Sequence, residues 1–143
     1  MGARRQGRIL AFQSLFRYDL SRAALPELLD FSWTNEKRDG ETVTDAETFA
    51  RLLIRGTVER LGEIDECIKS HLQHWDFDRL SRVDLAILRI GVYSLLFQKD
   101  IPATVTIDEA IHIAKEFGSD DSFKFINGIL DAVAKKPAAP GET

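Results

Sequence analysis

Residues 105–130 read VTIDEAIHIAKEFGSDDSFKFINGIL, and they contain one complete helix, a turn and the start of a second helix. Thr106 and Glu109 have the spacing of a capping box, which predicts that a helix begins there. Gly118 stands where a C-cap glycine would end that helix. Three residues are candidate N-caps for the following helix: Asp120, Asp121 and Ser122. The stretch therefore predicts two consecutive helices joined by a tight turn.

Apolar residues in both helices recur at helical spacing, which predicts one buried face on each. In the first helix these residues are Ile107, Ala110, Ile111 and Ala114. In the second they are Phe123, Ile126, Ile129, Leu130 and Val133. Gly128 lies in the middle of the second helix, where glycine costs about 1 kcal/mol relative to alanine. We expect a close backbone approach at Gly128 to explain this choice.

The rest of the chain continues the helical pattern, with no sustained alternation of period two. We predict helices over about 4–20 and 25–33, a helical pattern over 44–72 with a candidate break at Gly62, and a helix over 80–97. A capping box of Thr44 and Glu47 opens the third segment, after an exposed polar loop at 34–44. Residues 80–97 are apolar on nearly every side, so we expect this helix to occupy the centre of the fold.

Composition is that of an ordinary soluble globular protein. The 143 residues are 44% hydrophobic and 29% charged, and their number predicts a single domain. With the helical spacing throughout, we predict that this domain is all-α and covers 1–136, with a disordered tail at 137–143. Cys67 is the only cysteine, so no internal disulfide can form. With no signal peptide or apolar run long enough to span a membrane, we expect a cytoplasmic protein.

The net charge of −4 does not favour a nucleic-acid binder, but the distribution of charge does. Arg4, Arg5 and Arg8 share one side of the first helical turns, with no acid among them. Cations at a helix N-terminus oppose the macrodipole by about 0.3–1 kcal/mol each when exposed, and Gly7 weakens the turn further. Two interpretations stay open: a frayed, solvated terminus, or an arm that binds anions.

The sequence offers no convincing catalytic or metal site, so we expect neither enzyme activity nor a cofactor. Glu109-x-x-His112 has the spacing of half a di-iron motif, but its counterpart is absent. His71 and His74 have only Cys67 as a third ligand nearby, and we expect them to interact with a helix C-terminus instead. Acidic neighbours disfavour the thiolate of Cys67, which argues against a nucleophile.

Four ordered motifs make the sequence resemble the NusB family. They are RRQGRILAFQSLF at 4–16, TIDEA at 106–110, AKEFG at 114–118 and KFINGILD at 124–131. Trp75, Leu88-Arg89, Tyr93 and Ile101-Pro102 fall at matching positions between them. Three residues depart from the usual pattern: Gly7, Ser94 and Asp108. The resemblance covers residues 4–134 and implies two three-helix bundles sharing one chain, with six to seven helices.

The resemblance also implies a function, transcription antitermination at ribosomal RNA operons. Family members bind the boxA element of the nascent transcript together with NusE, a small-subunit ribosomal protein, within the transcription elongation complex. The RNA-binding residues implied by the motifs are Arg4, Arg5, Arg8, Gln13, Lys115, Phe117, Lys124, Phe125 and Asn127. Those implied for NusE are Phe16, Leu20, Asp78 and Asp84.

Cations that neutralise phosphates and aromatic rings that stack on bases are the means by which proteins hold single-stranded RNA. For Phe117 and Phe125, plain core packing stays an open alternative. Two other functions stay open as well: a protein-interaction adaptor, or the RNA-binding module of an RNA cytosine methyltransferase, which would need a long C-terminal domain beyond Thr143. Some family members dimerise, so a homodimer is also open.

Overall fold

The computed structural model describes residues 2–22, 24–31, 44–72 and 76–135. Within these ranges the chain forms seven α-helices, one short 3-10 helix and no strand, which confirms the predicted all-α class. The helices are α1 (Ala3–Ser21), α2 (Leu25–Asp30), α3 (Asp45–Glu59), α4 (Leu61–Ser70), the 3-10 helix (Phe77–Arg79), α5 (Arg82–Phe97), α6 (Ala103–Phe117) and α7 (Ser122–Lys135). His74, Trp75, the predicted loop before Thr44 and the predicted tail at 137–143 lie outside the described residues.

Helix α5 occupies the centre of the fold, as its apolar surface predicted. It contacts α1, α3, α4, α6 and α7, and nine consecutive or near-consecutive residues from Leu85 to Ser94 are buried. Gly91 lets α7 approach closely, because a Cβ at this position would lie 2.8 Å from Cδ1 of Leu130. The glycine therefore sets how near α7 comes to the central helix.

The other helices form two groups around α5, in agreement with the two three-helix bundles that were predicted. Helices α1, α2 and α3 pack on one side, and α6 and α7 pack with α5 on the other, while α4 contacts both α3 and α5. The two bundles share contacts between α1 and both α5 and α6. Gly7 fits the closest part of the α1–α3 contact, where an added Cβ would lie 2.8 Å from the carbonyl oxygen of Ala46.

One of the two predicted capping boxes is wrong at its N-cap residue. Thr44 Oγ1 accepts a hydrogen bond from the Glu47 amide at 3.1 Å, as expected. Helix α6 instead begins at Ala103 after Pro102, one turn before Thr106. Proline favours the start of a helix, so the helix extends back to it. Thr106 is consequently buried inside the helix.

Several boundaries also differ from the sequence prediction. Helix α2 ends at Asp30, before Trp33, because Phe31 adopts a left-handed conformation with φ 57°. The break between α3 and α4 falls at Arg60 rather than at Gly62. Helix α5 begins at Arg82, capped by Ser81.

Of two predictions made for glycines, one is confirmed and one is wrong. Gly118 is the C-cap of α6, as predicted, with an extended backbone at φ −91°. A side chain there would collide with Ala114 and Ser122, whose atoms lie 2.7 Å from an added Cβ. Gly128 is exposed, and an added Cβ would meet nothing within 4 Å, so the expected close approach is wrong. In α6 the core position that was given to Ile111 belongs to Ile113, which is buried.

Candidate nucleic-acid interface

The N-terminal arginines of α1 are tied to α6 through one carboxylate. Arg5 donates two hydrogen bonds to Glu109, from Nε to Oε1 at 3.0 Å and from Nη2 to Oε2 at 2.8 Å. Arg8 Nη1 lies 3.8 Å from the same Oε1. A bidentate arginine–carboxylate pair fixes orientation as well as distance. The basic arm is therefore ordered, and the alternative of a frayed, solvated terminus is wrong for Arg5 and Arg8.

The ionisation of these groups reflects their contacts. The hydrogen bond from Arg5 is the main cause that lowers the pKa of Glu109 below its ordinary 4.5, against an opposing effect of burial. The same hydrogen bond raises the pKa of Arg5. Burial lowers the pKa of Arg8, while Glu109 opposes that change. All three groups stay charged at neutral pH.

The arginines differ in how much of each faces solvent. Arg4 is exposed, and 42% of the Arg5 side chain is accessible, whereas Arg8 as a whole is only 7% exposed. The guanidinium groups of Arg4 and Arg8 lie 5.4 and 5.2 Å from the ring centroid of Phe49 on α3. The outer surface is thus presented by Arg4 and Arg5, while Arg8 lies beneath it.

A second group of aromatic and basic side chains lies where α6 ends and α7 begins. Phe117 is 37% exposed, and its ring lies 5.2 Å from that of the buried Phe12 on α1. Lys115 Nζ and Lys124 Nζ lie 5.0 and 5.9 Å from the ring centroid of Phe123. Helix α1 thus contacts α6 at two places. Phe12 packs against Phe117 at the C-terminal end of α6, and the arginines of α1 bind Glu109 near the middle of α6.

All nine residues that were predicted to bind RNA lie on three adjoining helices, α1, α6 and α7. Gln13 is half-buried on α1, and Asn127 is exposed on α7. Phe125 is half-buried and packs against the core. Sequence reasoning missed Phe49, Glu109 and Phe123 as neighbours of the basic groups. Only the adjacency of Phe123 to Lys124 could have indicated one of these contacts, because the others join residues far apart in the chain.

The residues expected to bind a partner lie on the second half of α1, on the 3-10 helix and at the start of α5. Leu20 is 56% exposed and Phe16 is half-buried. Asp78 is exposed on the 3-10 helix, and Asp84 is half-buried on α5. One oxygen of Asp84, Oδ1, is buried without a hydrogen-bond partner among the described residues. The hydrogen bond from Arg82 to Asp19 brings the start of α5, and with it the helical turn of Asp84, close to this end of α1.

An ion-pair network holds this end of α1 against α5. Arg89, which is buried, donates two hydrogen bonds of 2.9 Å to Asp65 on α4. Its Nη1 also lies 3.6 Å from Asp19 of α1. Asp19 accepts a further hydrogen bond of 2.6 Å from Arg82. Three helices are therefore joined at this point by charged hydrogen bonds.

The described ranges contain no cluster of three His, Cys, Asp or Glu residues able to hold a metal ion. His71 Nδ1 lies 2.9 Å from the carbonyl oxygen of Cys67 at the end of α4, which agrees with the predicted contact at a helix C-terminus. Cys67 itself is buried. None of the helices in these ranges is long and apolar enough to cross a membrane.

Comparison with known families gives a match over most of the chain. The model of the NusB family matches residues 5–135. The chain belongs to the NusB family. Among similar proteins, the transcription antitermination protein NusB of Treponema pallidum (strain Nichols) is 54% identical over 132 residues, covering 92% of both chains. That of Treponema denticola is 50% identical over 133 residues, covering 93% of this chain and 96% of the relative.

Solved structures of the family share the fold. The structure of T. maritima NusB matches with a TM-score of 0.80 and 44% identity, over 93% of this chain and 91% of the other. A complex of antitermination factors NusB and NusE with dsRNA contains a chain that matches with a TM-score of 0.81 and 31% identity. That match covers 94% of this chain and 98% of the other. These matches confirm both the family and the fold that the sequence motifs implied.

Proposed function

We propose that this protein is an RNA-binding transcription antitermination factor, which binds boxA RNA of ribosomal RNA operons together with NusE. The observation that carries the proposal is the ordered basic arm of α1, held against α6 by Glu109 and continued by the aromatic and basic end of α6. Family membership supports the antitermination role, and the relative seen with NusE and dsRNA supports both partners. The role is one of binding, without catalysis, and such a factor acts in the cytoplasm within the elongation complex.

Each side chain of the RNA surface has a role set by its exposure. Arg4 and Arg5 contact phosphates, together with Lys115 and Lys124, which are exposed. Arg8 is a positioning residue, because it is buried under the arm between Glu109 and Phe49. The remaining members are aromatic or amide side chains that stack on bases or bond to base edges: Gln13, Phe117, Phe125 and Asn127.

NusE would bind at the other end of α1. The apolar contact is formed by Phe16 and by Leu20, which is 56% exposed. Asp78 and Asp84 provide negative charge, which complements the basic surface typical of a ribosomal protein.

The test measures fluorescence anisotropy of a labelled boxA-like single strand, a scrambled strand and a duplex of the boxA sequence, each with and without NusE. We expect the boxA strand to bind most tightly and NusE to tighten it further. Equal, weak binding of all three RNAs under both conditions would refute the proposal. NusE binding without any preference among the RNAs would instead support a protein-interaction adaptor.

The salt dependence of binding tests the assignment of the arm. For single strands, the slope of log K against log salt falls by about 0.7 for each phosphate that the protein no longer neutralises. We therefore expect Arg4→Ala and Arg5→Ala each to reduce the slope by about this amount. Arg55→Ala, which removes an exposed arginine of α3, is the matched control and should leave the slope unchanged.

A further inference from the structure

Phe123 is an aromatic residue at the start of α7 that the RNA motifs of the sequence do not include. Its ring is half-buried and packs against the core. Lys115 approaches it from α6, with Nζ 5.0 Å from the ring centroid, and Lys124 approaches from α7, with Nζ at 5.9 Å. Both lysines are exposed. The part of the ring that core residues leave uncovered is therefore next to two solvated cations.

We propose that Phe123 is a stacking platform for one RNA base, with Lys115 and Lys124 holding the phosphates that flank it. This inference rests on the proposed function and deepens it. A base has a π face and an adjacent phosphate, so a ring beside two cations matches both parts of a nucleotide at once. In free protein the ammonium groups lie close to the ring, as cations do beside aromatic faces.

RNA binding rearranges this group without disturbing the fold. The lysine side chains are flexible and exposed, so their ammonium groups move from the ring to the phosphates while the base covers the ring. Phe123 does not move, because the core holds it. A platform that is already ordered loses little conformational entropy when its ligand arrives.

The neighbouring aromatic residue, Phe117, is placed differently. It is more exposed, and its ring is tilted by 43° against Phe12 at a centroid distance of 5.2 Å. Phe117 therefore packs against another ring, whereas Phe123 has two lysines beside it. Phe123 adds a second position for a base, beside that of Phe117, where α6 ends and α7 begins.

The experiment compares Phe123→Leu with Phe123→Tyr in the full-length protein. Leucine keeps the apolar packing and removes the aromatic face, whereas tyrosine keeps both. The matched control is Phe77→Leu, because Phe77 on the 3-10 helix is also half-buried and has Lys69 Nζ 5.0 Å from its ring centroid. Each variant is first shown to be folded by its circular dichroism and thermal melt. Affinity for the boxA-like single strand is then measured at several salt concentrations.

We expect Phe123→Leu to weaken RNA binding roughly 5- to 150-fold, the loss typical of one stacked base, with an unchanged salt slope. Phe123→Tyr and Phe77→Leu should bind like wild type. Strands carrying 2-aminopurine at successive positions should show stacking-induced quenching at one position, and Phe123→Leu should abolish it.

Three results would refute the stacking role of Phe123 without affecting the proposed function. They are wild-type RNA affinity in Phe123→Leu, a loss of affinity in Phe123→Tyr as large as in Phe123→Leu, or an equally large loss in Phe77→Leu. Each of these leaves the wild-type protein binding boxA RNA, so the proposed function would stand. Absence of boxA preference in the wild-type protein itself would overturn the function and the platform together. The wild-type measurement thus separates the two failures.

Discussion

Replacing Glu109 by glutamine should lower stability and raise RNA affinity at the same time. Glutamine keeps the size of the side chain but removes the charge that Arg5 and Arg8 share. The stability loss comes mainly from Arg8, which is only 7% exposed and loses the carboxylate 3.8 Å away. Exposed ion pairs contribute at most about 1 kcal/mol and breaking a buried one costs about 3–5 kcal/mol, so this part-buried pair is expected to contribute about 2 kcal/mol, which corresponds to a fall in Tm of about 4–8 °C for a domain of this size.

The effect on RNA has the opposite sign, for two reasons. Arg5, no longer held by two hydrogen bonds to a carboxylate, can turn more of its guanidinium group toward the phosphate that it contacts, and one negative charge disappears from the surface that RNA approaches. Repulsion between a carboxylate and a phosphate about 7 Å apart, in a mostly aqueous environment, corresponds to roughly a three- to fivefold change in RNA affinity. We expect Glu109→Gln to bind the boxA-like strand tighter by that factor, measured by anisotropy at fixed salt.

Asp131→Asn is the matched control, because Asp131 also loses one carboxylate charge from an ion pair, with Lys135 Nζ at 2.9 Å. That pair is exposed on α7, where such pairs contribute at most about 1 kcal/mol. The Tm of Asp131→Asn should therefore differ little from that of the wild-type protein. The reasoning fails if Glu109→Gln melts like wild type, or if it binds RNA more weakly while remaining folded.

The same residue gives a dependence on pH. Because the folded-state pKa of Glu109 lies below 4.5, its ion pair stabilises the protein fully above its unfolded-state pKa and ceases to do so as the pH falls through the folded-state value. The difference in Tm between wild type and Glu109→Gln should therefore be constant near neutral pH and shrink below about pH 4. Melts across this range measure it, and a difference that persists in acid would contradict the assignment.

Four further substitutions test the glycine contacts and the ion-pair network, each by thermal or denaturant unfolding. Gly7→Ala should destabilise by about 1–3 kcal/mol, because the new Cβ would lie 2.8 Å from the Ala46 carbonyl oxygen; wild-type stability would refute the close approach. Gly128→Ala, where a Cβ has open space, should stabilise by about 0.5–1 kcal/mol, and any destabilisation would show an unseen contact. Arg89→Ala should cost about 3–5 kcal/mol, since Arg89 is buried and its loss leaves the part-buried carboxylate of Asp65 without two hydrogen bonds. Arg82→Ala, at an exposed site, should cost less than about 1 kcal/mol, and equal losses for the two arginines would refute the distinction.

The positions of the helices could be predicted from the sequence because capping residues and apolar spacing, which lie within a few residues of each helix, determine them. Thr44 caps α3 as its spacing with Glu47 indicated, and the continuous apolar surface of α5 predicted its central place. The family resemblance then supplied the arrangement of the bundles. Errors came where two local signals competed: Thr106 had the same capping pattern as Thr44, but Pro102 lies one turn earlier and starts the helix.

The site was predicted in its residue types but not in its contacts. Arg5 and Glu109 are 104 positions apart, so no spacing rule joins them, and the capping pattern gave Glu109 another role. The same limit applies to Gly128, whose surroundings depend on how α7 lies against its neighbours. Burial of Arg8 was hidden as well, because the sequence shows three similar arginines, and it is the packing of α1 against both α3 and α6 that buries Arg8 and leaves the other two accessible.

Helix α1 is anchored to its neighbours near both of its ends, by Glu109 at Arg5 and by the network around Asp19. At 1.5 Å per residue, Arg5 and Leu20 are about 22 Å apart along the helix axis. The proposed RNA and NusE surfaces thus lie at opposite ends of one helix that ion pairs fix at both ends. A ligand bound at one end can alter the affinity of the other end by displacing the whole helix, or by touching the second ligand directly. Because the ion pairs resist the first route, positive coupling between RNA and NusE points to contact between those two ligands.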